Sequence, residues 1–118
     1  MAVVYFETMV ESIIDGSIHL AGPLAAGDST SVLTINEGNA DVAVQVYGTA
    51  GGSTIAVLGS IIPEQFSAID DAFGVEMSYT ALPRLKPIGP AVPAFKVTVT
   101  GGSSVEVYAA VYIVKKKR

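Results

Sequence analysis

Catalysis by side chains needs a nucleophile, a base or a bound metal, and few residues of this chain offer any of them. His19, within "GSIHLAG", is the sole imidazole. It could serve as a base, but no motif ties a carboxylate or a serine to it, and a lone histidine in a strand-like setting is usually structural. Asp70 and Asp71 in "AIDDAFG" are adjacent carboxylates. On a strand they would point to opposite faces, whereas on a turn one of them would accept backbone hydrogen bonds as an Asx-turn, which is the expectation here. "IIDGS" lacks the further carboxylates of a calcium loop, and "GTAGGST" lacks the lysine and the spacing of a phosphate-binding loop. The absence of cysteine excludes thiol nucleophiles, thiolate zinc sites and disulfides. No catalytic residue, metal or cofactor is expected, and the chain reads as a non-enzyme.

Binding is the other chemistry the residues could support. Lys115, Lys116, Lys117 and Arg118 hold four of the seven basic residues. Residues 1–114 therefore carry three basic and eleven acidic side chains, a net charge of −8. An acidic body repels a phosphate backbone, and nucleic-acid binders carry a basic stripe across a face, so no nucleic-acid partner is expected. The tail 115–118 is either a solvated terminus or a tether for an acidic protein surface. The tether is favoured because the apolar strand before it fixes the point from which the charges leave.

The elements that must position these groups follow from periodicity. "DVAVQVYG" sets Val42, Val44 and Val46 against Ala43, Gln45 and Tyr47, and "FKVTVT" sets Phe95, Val97 and Val99 against Lys96, Thr98 and Thr100, the alternation of half-buried strands. "VEMSYTA" opposes Val75, Met77 and Tyr79 to Glu76, Ser78 and Thr80. Further strands are expected at 31–36, 53–58 and 104–114, with a less regular strand or arm within 1–14. No window shows a helical stripe. Val42, Val44, Val46, Val97, Val99, Val107 and Val111 are expected to share one core. Glycine-rich turns, "GTAGGS" and "TGGSS", separate the runs and supply the positive φ that tight turns need. The pattern predicts a single all-β domain over 1–118, an antiparallel β-sandwich or flattened barrel of about seven to eight short strands.

One segment breaks the alternation. "LPRLKPIGPAVPA", residues 82–94, contains four of the six prolines and cannot be a central strand. It reads as an extended crossover between sheets, or as an arm laid on a neighbouring subunit with Pro83, Arg84, Lys86, Pro87 and Pro90 at the contact. The last strand is apolar on both faces, with Val105, Val107, Ala109, Val111 and Ile113 on one and Tyr108, Ala110, Tyr112 and Val114 beside Glu106 on the other. Tyr108 and Tyr112 are either covered by the proline-rich segment or part of a subunit interface, where tyrosine packs its ring and keeps its hydroxyl bonded. These residues, with the basic tail, form the candidate interface. The apolar runs are far shorter than the roughly 20 residues of a membrane-spanning helix. The N-terminus lacks a basic region ahead of an apolar one, so no signal peptide and no membrane partner are expected.

"VAVQVYGTAGGSTIAVLGS", "FSAIDDAFGVEMSYTA" and "PAFKVTVTGGSSVEVYAAVYIVKKKR" together resemble the small β-sandwich capsid decoration (cement) and head-fibre-like virion proteins of tailed bacteriophages. The resemblance covers residues 42–118. Where members of that group commonly have a tryptophan after the Gly-Ser strand, this chain has Phe66, and where they have an arginine before the closing strand it has Lys96. The resemblance implies a homotrimeric structural protein that binds the major capsid protein on the outer capsid surface, made in the host cytoplasm and carried on the virion. Two alternatives remain: a carbohydrate-binding β-sandwich, weakened by the lack of tryptophan, and a tail or connector subunit.

Overall fold

In the computed structural model the described residues are 2–11, 16–35, 40–62, 65–88 and 93–115. They form twelve strands and no helix: β1 (Val3–Val4), β2 (Glu7–Glu11), β3 (Gly16–Leu24), β4 (Ser29–Thr30), β5 (Leu33–Thr34), β6 (Ala40–Thr49), β7 (Thr54–Ser60), β8 (Ser67–Ala68), β9 (Ser78–Tyr79), β10 (Arg84–Pro87), β11 (Ala94–Thr100) and β12 (Glu106–Lys115). The first sheet runs β1-β4-β11-β7-β8, with β5 also on β11 and β9 also on β7, and the second runs β10-β6-β12-β3-β2. The molecule measures 45 × 26 × 25 Å along its principal axes.

The all-β expectation holds, and the alternating valines do what their spacing demands. All seven valines expected in the core are buried, joined by Leu24, Ile55, Val57, Phe95 and Ala109 in one cluster fed by both sheets. Burying a valine or leucine side chain is worth about 1.5–3 kcal/mol, so this inner face accounts for most of what holds the sheets together. Pairing is antiparallel except between β1 and β4, which run parallel. That exception has a local cause. The Asp28 carboxylate accepts hydrogen bonds from the amides of Ala25 (2.9 Å) and Ala2 (3.0 Å), closing a turn and holding the N-terminal segment beside it.

Four sequence expectations need correction. The N-terminal strand is two strands in different sheets, β1 in the first and β2 in the second. Strand β3, nine residues long and central enough to pair with both β12 and β2, had not been expected. Its alternation is broken by Gly22-Pro23 and by a bulge opposite Tyr108, which masked it in the sequence. The strand expected from "VEMSYTA" shrinks to β9, and Val75 is exposed rather than buried with Met77 and Tyr79. Asp71 explains this: its backbone amide donates to the Val75 carbonyl (2.8 Å) and its carboxylate accepts from the amides of Phe73 and Val75, so Val75 belongs to the turn. Finally, residues 84–87 of the proline-rich segment form an edge strand of the second sheet, antiparallel to β6, where prolines are tolerated because one side needs no ladder.

The two glycine turns lie together. The β6–β7 and β11–β12 connections each cross between the sheets at the same end of the sandwich, and the Ser103 amide donates to the Gly51 carbonyl at 2.9 Å. Gly51 has φ +59°, and a Cβ there would lie 2.2 Å from the Ser103 carbonyl oxygen. Gly48, at φ +115°, would place a Cβ 2.2 Å from the carbonyl oxygen of Glu106. Both obstacles are backbone, which cannot move without opening the sheet. Gly51→Ala and Gly48→Ala should each destabilise by about 3 kcal/mol, while Gly52→Ala, at φ +82° with open space around it, should cost about 1–2 kcal/mol from backbone conformation alone. Urea denaturation of the three variants checks the order.

Candidate interface

The register of β6, β12 and β3 decides which candidate residues share a surface. Directly opposed residues lie on one face. Val44 opposes Val111 and Val46 opposes Ala109 on the inner face, while Tyr47 opposes Tyr108 and Ala43 opposes Tyr112 on the outer. On the far side of β12, Ile18 opposes Tyr112 and Leu20 opposes Ala110. On β10, Leu85 and Pro87 oppose Gln45 and Ala43 and so join the same outer face. The result is a sheet face that looks away from the core and is largely apolar at its centre, with Gln45 opposite Ala110 and the polar Asp41, Thr49, Glu106 and Glu7 towards its ends and edge.

The expected interface residues divide along this line. Tyr112 is 46% exposed on the outer face, and Tyr108 is half-buried beside it. Tyr108 stacks on Tyr47 with ring centroids 5.3 Å apart and planes 14° from parallel. It also lies against Gly22, where a Cβ would come within 2.4 Å of its ring, so its cover within the sheet comes from β3 and β6. Pro87 is on the outer face, but Arg84 and Lys86 oppose Val46 and Val44 and sit on the core side of the edge strand. Arg84 is exposed, its Nε donating to the Ala81 carbonyl at 3.2 Å, and Lys86 is half-buried. Pro83 is exposed. Lys115 closes β12 opposite Ala40, while Pro90, Lys116, Lys117 and Arg118 lie outside the described residues. Sequence reasoning missed Leu85, 63% exposed, and the Ile18/Leu20 pair. The alternation in "SIHL" and the position of Leu85 between two basic residues were the signals available.

The groups weighed for catalysis are engaged structurally. The Thr8 hydroxyl lies 3.2 Å from Nδ1 of His19 and the Ser17 hydroxyl 2.9 Å from Nε2, so both ring nitrogens are hydrogen-bonded by hydroxyls of β2 and β3. Asp71 is buried and forms the Asx-turn described above, and Asp70, exposed, forms a backbone β-bridge with Glu76 across the same turn. Among the described residues no group of three or more His, Cys, Asp or Glu side chains is placed to hold a metal ion.

No family model and no curated protein matches this chain. Solved structures do resemble it. The cupin domain of Schizosaccharomyces pombe Cnp3 superposes with a TM-score of 0.52 at 8% identity, covering 94% of this chain and 64% of that one. PliG, a periplasmic inhibitor of g-type lysozyme from Aeromonas hydrophila, gives 0.49 at 8% identity with 98% of both chains covered. A carbohydrate-binding module of Cellvibrio mixtus lichenase 5A gives 0.37 at 14% identity over 97% of this chain and 88% of that one. The cupin likeness is one of fold: two β-sheets packed face to face. This chain spans about two thirds of that domain's length.

Among the described residues one buried side-chain polar atom has no partner. The hydroxyl of Tyr79, a residue 9% exposed, makes no hydrogen bond. Burial raises its pKa above the ordinary 10.0, the charge of Asp71 adds to the rise, and Arg84 opposes it. As pH climbs, the unfolded chain loses this proton first. The stability tied to the neutral phenol is therefore complete below the unfolded pKa and is lost as pH rises towards the folded one. Tyr79→Phe removes the unpaired hydroxyl and should be neutral or stabilising by up to about 1 kcal/mol at neutral pH. It should also lose less stability than wild type near about pH 11, measured by urea denaturation at both pH values.

Proposed function

We propose that this protein is a structural virion protein that decorates the outer surface of a bacteriophage capsid, docking on the major capsid protein through the pole from which its basic tail leaves. The observation that carries the reading is the make-up of that pole. Strands β6 and β11 begin there and β7 and β12 end there, because both glycine turns lie at the opposite end. Just beyond β7, Ile61 and Ile62 are 79% and 65% exposed, flanking a shallow groove of about 270 Å³ lined also by Gly59, Ser60, Gln65 and Ser67. The chain's four consecutive basic residues start at the same pole, with Lys115 still in the sheet. An apolar tip beside a cationic tail, on a body of opposite net charge, suits a surface that is acidic and partly apolar. The apolar contact supplies affinity, and the tail supplies steering.

The resemblance gains support from a contact. Phe66 and Lys96 stand where the virion proteins that this sequence resembles commonly have tryptophan and arginine, and here they meet, with Lys96 Nζ 4.4 Å from the Phe66 ring centroid. A tryptophan and an arginine in those places would make the same cation–π contact in a stronger form. The carbohydrate-binding reading relies on exposed ring faces. Tyr47 and Tyr108 turn one face each towards the other, which leaves Tyr112 as the exposed ring of the outer face.

Deleting 115–118 should weaken binding to undecorated particles about tenfold at low salt and little at moderate salt, because exposed charges are screened. Ile61→Ser/Ile62→Ser should weaken it at both, by about 1–2 kcal/mol for each side chain buried on docking. Unaltered binding by both variants, or absence of the protein from purified virions by mass spectrometry, would sink the proposal. A specific hit on a glycan array would replace it with the carbohydrate reading.

A further inference from the structure

The outer face of the second sheet is not part of the docking pole, and among the described residues no strand packs over it. We infer that it pairs with the same face of a second copy, giving a two-fold dimer in which two sheets stack. The inference does not depend on the virion reading.

Its size is the first argument. Strands β6 and β12 are ten residues long, about 33 Å, and a five-stranded sheet is roughly 19 Å wide, so the face projects to roughly 500–600 Å². Side-chain relief brings the accessible area near the roughly 800 Å² per partner that a stable interface buries. The second argument is charge. Residues 1–114 carry a net charge of −8, and a two-fold contact sets a surface against itself, so any charge near its centre would face its own kind. This face avoids that. Its centre is Tyr112, Ala110, Ala43, Leu20 and Ile18 with the uncharged Gln45, and its carboxylates, Asp41, Glu106 and Glu7, lie at the two ends of the β6–β12 pair and on the edge strand β2. A basic partner would call for a charged face, whereas a second acidic copy calls for a neutral one.

Shape is the third. Tyr112 stands beside Ala43 across the strand pair and two residues from Ala110 on the same strand, so a large side chain adjoins a small-residue depression. Turned about a two-fold axis, each Tyr112 fills the other copy's depression, as sheets packed about 10 Å apart require. The edges of the same sheet are ill suited to joining copies. On one side, Pro87 removes an amide donor from β10. On the other, a bulge between Thr8 and Val10 and the carboxylate of Glu7 blunt β2. Opposed flat faces close after two copies, in place of the threefold expected from the sequence.

Sedimentation equilibrium at tens of micromolar should give a mass of two 12.2 kDa chains. Tyr112→Glu should shift it to one chain, weakening association at least a hundredfold, with an unchanged circular dichroism spectrum. Leu85→Glu, on an exposed edge position that folding does not need, is the second variant and should weaken it at least tenfold. Because the chain has no cysteine, Tyr112→Cys with a short bismaleimide should crosslink into dimers, and Ile62→Cys should not. A single-chain mass for wild type up to several hundred micromolar would overturn the inference. So would a three-chain mass, or dimers that survive both glutamate variants.

Discussion

The pairing of β6 with β12 is the constraint on which the rest of the structure depends. Ten consecutive residues of one strand oppose ten of the other, from Ala40↔Lys115 to Thr49↔Glu106. The side-chain period of a strand is two, so this register fixes the face of every residue in the second sheet, and a slip by one would send the valines to solvent and the tyrosines into the core. The glycine turns lock it. Gly48 faces Val107 with its Cα close to the Glu106 carbonyl, and the turn at 50–53 rests on the turn at 101–104. The echo between "GTAGGS" and "TGGSS" in the sequence thus has a structural meaning: the two turns have the same chemistry because they pack on each other and each must let the other's backbone come near.

Much of the architecture could be read from the residues, and the rest could not for identifiable reasons. The inner face was legible because β-branched residues recur at alternate positions over seven to ten residues, long enough for the period to stand out. Two-residue strands such as β4, β5 and β8 carry no period at all; they exist because a neighbour offers a ladder edge. At β4, for instance, the buried Thr30 hydroxyl accepts the Val97 amide at 2.9 Å in a place where a strand carbonyl would serve. Strand β3 was hidden by the Gly22-Pro23 interruption that its bulge requires. In the candidate interface Tyr108 and Tyr112 were legible as outward-facing because the strand's second face was too apolar for solvent. The separation of Arg84 and Lys86 from Leu85 and Pro87 was not legible, since it follows from the register of a strand that four prolines argued against.

The polar side chains show how the fold distributes its chemistry. Asp28 closes the turn that anchors the N-terminal segment, and Asp71 closes the turn that carries Phe73 and Val75 outwards. Ser53 donates to the Ala50 carbonyl within the first glycine turn, and Ser60 donates to the Ile62 carbonyl, holding the chain as it leaves β7. His19 is bound by two hydroxyls. Each of these groups satisfies a backbone or side-chain partner that would otherwise be costly to bury or order. These polar groups are thereby committed to geometry, and the Ser60 contact in particular positions the exposed isoleucine pair at the tail pole.

The surface of the described residues differs from place to place. The edges of the second sheet are blunted by proline, by a bulge and by Glu7. Its outer face is uncharged and largely apolar at its centre, with carboxylates only at its ends and edge. The tail pole is apolar beside a run of positive charge. An acidic body makes these differences consequential. A like-charged neighbour approaches best where charge is sparse, as at the centre of the outer face, and an oppositely polarised surface is drawn to the place where basic residues gather. The same charge that opposes approach in most orientations therefore suits the two contacts proposed above, one between copies and one with a different, acidic partner. The two modes lie on separate parts of the molecule, a broad sheet face and one end of the sandwich, so occupying one leaves the other open.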